Sequence, residues 1–183
     1  MATLPMKATR NEAIAAGVHG NLANVAPVTV ASFLVAFVAS VAMWWIYFNI
    51  GAQRGSRHIA DSDDPGKVGR LAYTYLHLLL VAGIIVVAVG DELVIAHPTG
   101  HADDKTAAVL IGGPALYLAG NLLFKRVSAQ HFPLSHLVGL GLLALLVPAA
   151  AVASPLALTS ATTLVLIVVA VWETRSLAGA RPR

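Results

Sequence analysis

Within the stretch Val87–Pro98, VAVGDELVIAHP, two acids sit side by side in an otherwise apolar run. Asp91 and Glu92 have the most to offer chemically. Neighbouring carboxylates at a partly dehydrated site resist ionising together, so such a pair can hold and release a proton or bind a cation. Earlier in the same run, His77 supplies an imidazole whose charge changes near neutral pH. On a helical wheel at about 100° per residue, Asp91 falls about 40° to one side of His77 and Glu92 about 60° to the other, so the three share a broad face. Tyr73 and Thr74 extend that face at one end, and Val81, Ile84 and Ala88 fill its middle. This helix alone therefore gives no continuous proton wire.

Groups of this kind need elements that hold them inside a membrane, and the composition supplies those elements. Hydrophobic residues make up 57% of the 183 and charged residues only 11%, against roughly a quarter charged in soluble proteins. The charges cluster and leave apolar windows of about 20 residues, the length that crosses about 30 Å of hydrocarbon. The fold class is all-α, a polytopic bundle of five transmembrane helices at about 28–50, 71–96, 106–124, 135–153 and 156–174. Helices are required because lipid cannot satisfy open backbone groups. The domain reading is an amino-terminal segment over 1–26 with a short amphipathic helix, a membrane domain over 27–175 and a basic tail over 176–183. The polar stretch over 51–70 reads as a flexible loop.

Five spans put the termini on opposite sides. One side carries Lys7, Arg10 and Lys105; the other carries Arg54, Arg57, Lys67, Arg70, Lys125, Arg126, Arg175, Arg181 and Arg183. That excess predicts a cytoplasmic carboxyl terminus in the inner membrane and an amino terminus outside. Trp44, Trp45, Tyr47, Phe48, Tyr73, Tyr75, Phe124, Phe132 and Trp172 gather at the same inner edge, as interfacial aromatics do. The amino terminus has no compact apolar run followed by Ala-x-Ala, so no signal peptide is read.

The other spans offer polar groups at matching depths. Thr159, Ser160, Thr162 and Thr163 lie level with Asp91 and Glu92 at the outer end, and Tyr117 and Asn121 lie level with His77 at the inner end. Two polar layers separated by an apolar waist are expected, forming either a site or gated path for a proton, cation or small polar solute, or simply interhelical hydrogen bonds. Gly112-Gly113-Pro114 predicts a kink in the third span, and Pro148 a bend in the fourth. Ser32, Ala36 and Ser40 make a small-residue stripe suited to close helix packing, with Ala115 and Ala119 a shorter one. The expected partners are the lipid bilayer and either further copies of the chain or a chain supplying additional spans. His97, His101, Asp103 and Asp104 could surround a divalent metal, but Pro98 and Gly100 break helical spacing there and a solvated loop is the better reading; no metal and no cofactor is expected. His131 and His136 read as interfacial, and His58 has no identifiable partner.

The sequence contains no cysteine, which excludes disulfides, thiolate zinc sites and thiol catalysis. It has no P-loop, nucleophile elbow, His-Glu-x2-His or dinucleotide fingerprint, so an enzyme is the least supported class. The basic residues flank apolar spans and form no nucleic-acid surface.

The runs FVASVAMWWIYFN (37–49), RLAYTYLHLLLVAGIIVVAVGDELVIAHP (70–98) and GGPALYLAGNLLFKR (112–126) resemble the carboxyl-terminal half of the bacterial low-temperature-requirement A family of membrane proteins. The resemblance covers about 28 to 175 and rests on the ordered set Trp-Trp-x-Tyr-Phe, Tyr-x-Tyr-x-His, Gly-x-Glu-x4-His-Pro and Gly-Gly-x-Ala-Leu-Tyr-Leu. Family members usually carry a further amino-terminal block of spans with no counterpart here, which implies a truncated or split member. Where the family often has an acid after Trp-Trp-x-Tyr-Phe, this sequence has Asn49. The family name records a cold-growth association and implies no reaction, so a non-catalytic component supporting the envelope at low temperature stands as the alternative to transport. The motif makes Glu92 the acid expected to be most sensitive, with His77 next.

Overall fold

The computed structural model describes residues 27–49, 64–129 and 132–179. The segment over 1–26 with its expected short helix, residues 51–63 with His58, His131, and the end of the basic tail over 180–183 lie outside the described residues. Among the described residues five long apolar helices make up the fold: α1 Pro27–Asn49, α2 Pro65–Ala96, α3 Asp104–Ala129, α4 Leu134–Leu146 and α5 Pro155–Gly179. A 3₁₀ turn over Pro148–Ala151 completes the fourth span. No strand occurs among the described residues. The protein is an all-helical membrane protein, and its five spans imply a lipid bilayer as surroundings.

The helix ends depart from the sequence expectation where polar residues belong to helices. α2 begins at Pro65 rather than 71, because Asp64 caps it by accepting a hydrogen bond from the Lys67 amide at 2.9 Å and proline fits the first helical position. α3 continues through Pro114 and carries Lys125 and Arg126 inside it. The expected bend at Pro148 is a stop: α4 ends at Leu146 and the 3₁₀ turn follows. Leu71–Leu76 forms a π turn inside α2, with the His77 amide bonded to the Ala72 carbonyl.

At the end of the bundle holding Lys105, the two connections are tied together by backbone bonds, Ala102 N–H to Ala153 O at 3.1 Å and Leu156 N–H to Pro98 O at 3.2 Å. Asp103 accepts the Thr106 amide at 3.2 Å and starts α3. Hydrogen bonds from the Thr106 side chain and backbone hold its carboxyl below the usual aspartate range. The opposite, basic end carries Lys67, Arg70, Arg126 and Arg175.

α3 and α5 are the central helices, with half of their most apolar windows buried against 28% in the other three. α2 packs chiefly on α3, and α1 on α5. The α2/α3 seam is closed by glycines. A Cβ on Gly83 would stand 2.6 Å from the Tyr117 amide nitrogen, and one on Gly113 would stand 2.9 Å from that of Val87. Backbones can approach this closely only where side chains are missing, the usual route to tight packing between membrane helices. The seam fixes the register, setting Gly90 beside Leu110, Val87 beside Gly113, Gly83 beside Tyr117 and Leu80 beside Gly120.

Candidate functional site

The buried stripe of α2 is Leu80, Gly83, Val87, Gly90 and Val94. Asp91 borders that stripe, whereas Glu92 lies one residue, about 100°, further round. Val81, Ile84 and Ala88 share the outward face with Glu92, and all four are exposed. This corrects two expectations. Glu92 does not face the α5 threonines, and Val81, Ile84 and Ala88 do not form the waist. His77, just past the π turn, sits at the edge of the packed face, so the face centred on it is out of phase with the buried stripe.

Asp91 takes the position expected of Glu92. It lines a small cavity with Thr159, Thr162, Thr163 and Pro114, whose volume of about 10 Å³ is close to that of one water molecule. The Thr162 hydroxyl donates to the Thr159 carbonyl at 3.0 Å, and the buried Thr163 hydroxyl has no hydrogen-bond partner among the described residues. Ser160 points away and donates to the Leu156 carbonyl.

The layer at the basic end has a different centre from the one expected. Lys125 and Glu173 form a fully buried ion pair between α3 and α5. The ammonium reaches the two carboxylate oxygens at 2.9 and 2.8 Å and donates its third hydrogen bond to the Ile46 carbonyl of α1 at 2.8 Å. All three ammonium donors are used. The Ile46 carbonyl belongs to the last turn of α1, where carbonyls lack helical partners and the helix dipole is negative. One lysine thus joins three helices.

Asn121 lies one turn deeper on α3. Its side-chain oxygen meets His136 Nε2 at 3.2 Å, which makes Nε2 the donor and leaves Nδ1 for the Ser135 hydroxyl at 3.3 Å. His136, expected at the interface, is fully buried. The Tyr117 hydroxyl donates to the Met43 carbonyl of α1 and lies beside Asn121. His136, Asn121, Tyr117, Lys125 and Glu173 therefore form one cluster across α1, α3, α4 and α5.

His77 shares a pocket of about 290 Å³ with Tyr117, Tyr47 and Met43, beside this cluster, as its expected depth implies, whereas Tyr73 does not line that pocket. His77 packs edge-on to Tyr47 and Phe124 at 5.8 and 6.3 Å, with its Nδ1 buried and unpartnered among the described residues. Tyr73 is exposed and meets Phe124 at 5.5 Å. The small-residue stripe also divides. Ser32 is buried within the chain and bonds the Val28 carbonyl, Ala36 is half-buried and Ser40 is exposed. A spacing of four drifts by about 40° per step, so the three residues do not share one packing face. The seam with α5 is made instead by Ala39, Ala42 and Ile46, helped by Trp45 Nε1 donating to Thr174 Oγ1 at 3.0 Å.

Among the described residues, no cluster of three or more His, Cys, Asp or Glu side chains could hold a metal ion. What the arrangement offers is protonatable and hydroxyl-bearing groups at two depths. The register puts Asp91 level with Leu110 and about two turns, or about 10 Å, from Tyr117. Val87, Ala115 and Leu166 pack the space between.

Residues 12–171 match the family described as bacterial low temperature requirement A protein. An uncharacterized protein of Rhizobium meliloti (strain 1021) is 39% identical over 137 residues, covering 75% of this chain. The chain spans 34% of that relative's length. No solved structure matches the chain.

Proposed function

The chain belongs to the bacterial low temperature requirement A family, and we propose that it passes protons across the membrane between the Asp91 layer and the Lys125/Glu173 cluster. The observation that carries this reading is Asp91 facing buried threonine hydroxyls across a cavity of about 10 Å³. Acids inside a membrane bundle are costly and commonly mark ion pathways or proton relays. The cavity is too small for a solute of several heavy atoms, which leaves a proton or a monatomic cation; the apolar packing between the layers, which offers a cation no ligands, favours the proton. In this account Asp91 is the outer acceptor, and His136, Asn121 and Tyr117 form the inner relay. The apolar packing between the layers blocks leakage until the helices move.

The reading ranks the acids in the order opposite to the motif. Asp91→Asn should abolish proton flux in liposomes with the yield of folded protein unchanged, and Glu92→Gln should leave it within about twofold, since exposed substitutions away from special features rarely matter. Loss on Glu92→Gln with full flux in Asp91→Asn would refute the assignment of the outer acceptor.

A non-catalytic role supporting the envelope in the cold is the second reading. The closed ion pair favours it, because fully partnered groups have nothing left to offer a ligand. Further copies of the chain, or a chain supplying additional spans, are compatible with either reading.

The same proposal places the protein in the inner membrane with the basic end in the cytoplasm, supported by Lys67, Arg70, Arg126 and Arg175 at that end. A cysteine introduced at Thr99 should react with an impermeant thiol reagent on intact cells, and one at Ser62 should not. The reverse pattern would invert the topology.

A further inference from the structure

A groove of about 300 Å³ opens to the bilayer between α1 and α5. Val38, Val41, Ile167 and Val171 line its length, and Trp45 and Arg175 stand at its basic end. From Val38 to Trp45 it follows α1 for about 10 Å. A second hollow of about 520 Å³ on α5 shares Ile167, Val171 and Arg175 and adds Trp172. Arg175 therefore guards the mouth of both. It is exposed and has no ion pair among the described residues, while the nearby acid, Glu173, is committed to Lys125.

We propose that this groove binds an anionic phospholipid from the leaflet at the basic end. An acyl chain lies along the apolar walls and the phosphate takes the Arg175 guanidinium, whose fork of donors matches phosphate oxygens. Trp45 and Trp172 sit at the headgroup level, where indoles favour the interface. A partner helix in the groove would have to bring its own acid to Arg175; a lipid phosphate is already at that depth. Juxtamembrane basic residues attract anionic lipid by an amount worth about fivefold in binding each.

The test is native mass spectrometry of the full chain purified with equal phosphatidylglycerol and phosphatidylcholine. The protein should retain phosphatidylglycerol preferentially, and Arg175→Gln should reduce that preference about fivefold. Val171→Trp, which fills the groove from an exposed position, should lower retention of both lipids. Added inorganic phosphate should not compete. Equal retention of the two lipids, an unchanged preference in Arg175→Gln, or displacement by phosphate alone would overturn the proposal. So would a lipid-free dimer that Val171→Trp dissociates, since a second copy would then fill the groove.

Discussion

Glu173→Ala is expected to destabilise the folded protein by about 3–5 kcal/mol, the usual cost of stranding one member of a buried ion pair. The substitution leaves the Lys125 ammonium with the Ile46 carbonyl as its remaining bond, enclosed where neither water nor headgroups reach it. Lys125→Ala should also destabilise the protein by removing the cation beside the buried Glu173 carboxylate, and it should release the end of α1. The double variant Lys125→Met with Glu173→Leu removes both charges and keeps much of the volume, so it should recover most of the loss. Reversible unfolding of the four proteins in detergent compares one broken pair member with the uncharged pair. If the single variants unfold like the wild type, the two charges are solvated and the cluster is not closed.

The second large effect lies in the α2/α3 seam. Gly83→Ala adds a Cβ that would sit 2.6 and 2.7 Å from the Tyr117 amide nitrogen and Cα. Backbone atoms cannot rotate away as a side-chain tip can, so the helices must separate and drag the Tyr117 hydroxyl from the Met43 carbonyl. A loss of about 2–3 kcal/mol is expected, near the top of the overpacking range. Gly112→Ala is the internal control. Nothing lies within 4 Å of a Cβ there, and the better helix propensity of alanine should make it neutral or stabilising by up to about 1 kcal/mol. Thermal unfolding of the two variants side by side should give shifts of opposite sign or a neutral control. Equal shifts would mean that the seam is looser than described.

The spans were readable because apolar length and helical backbone closure leave a sequence of this composition almost no alternative. Their phase was harder. Every face of α2 is apolar, so polarity does not show which stripe meets α3; a wheel anchored on His77 leaves Asp91 and Glu92 on one broad face, and only the family motif ranks Glu92 first. The glycines held the missing information: Gly83 and Gly90 mark the close-approach face that Asp91 borders. Lys125 and Glu173 were missed for a related reason. In the sequence Lys125 reads as a loop charge just past the third span, and Glu173 lies at the expected end of the last span. A stripe through Thr159, Thr163, Leu166, Ala170 and Glu173 would have placed that acid on the same α5 face as the threonines. An acid and a base on the packed faces of two neighbouring spans are each other's natural partners. The Asn121 to His136 contact depends on how α3 and α4 lean together, which no linear pattern encodes.

Proton passage between the two polar layers is the central proposal. Its direct test is flux into liposomes holding the purified protein and an internal pH indicator, driven by a potassium diffusion potential. Proton entry well above that of protein-free liposomes is expected, with loss of that entry in Asp91→Asn and no uptake of sodium or glycerol. Proton entry equal to that of protein-free liposomes would contradict it, as would uptake of sodium or glycerol at a rate matching the protons.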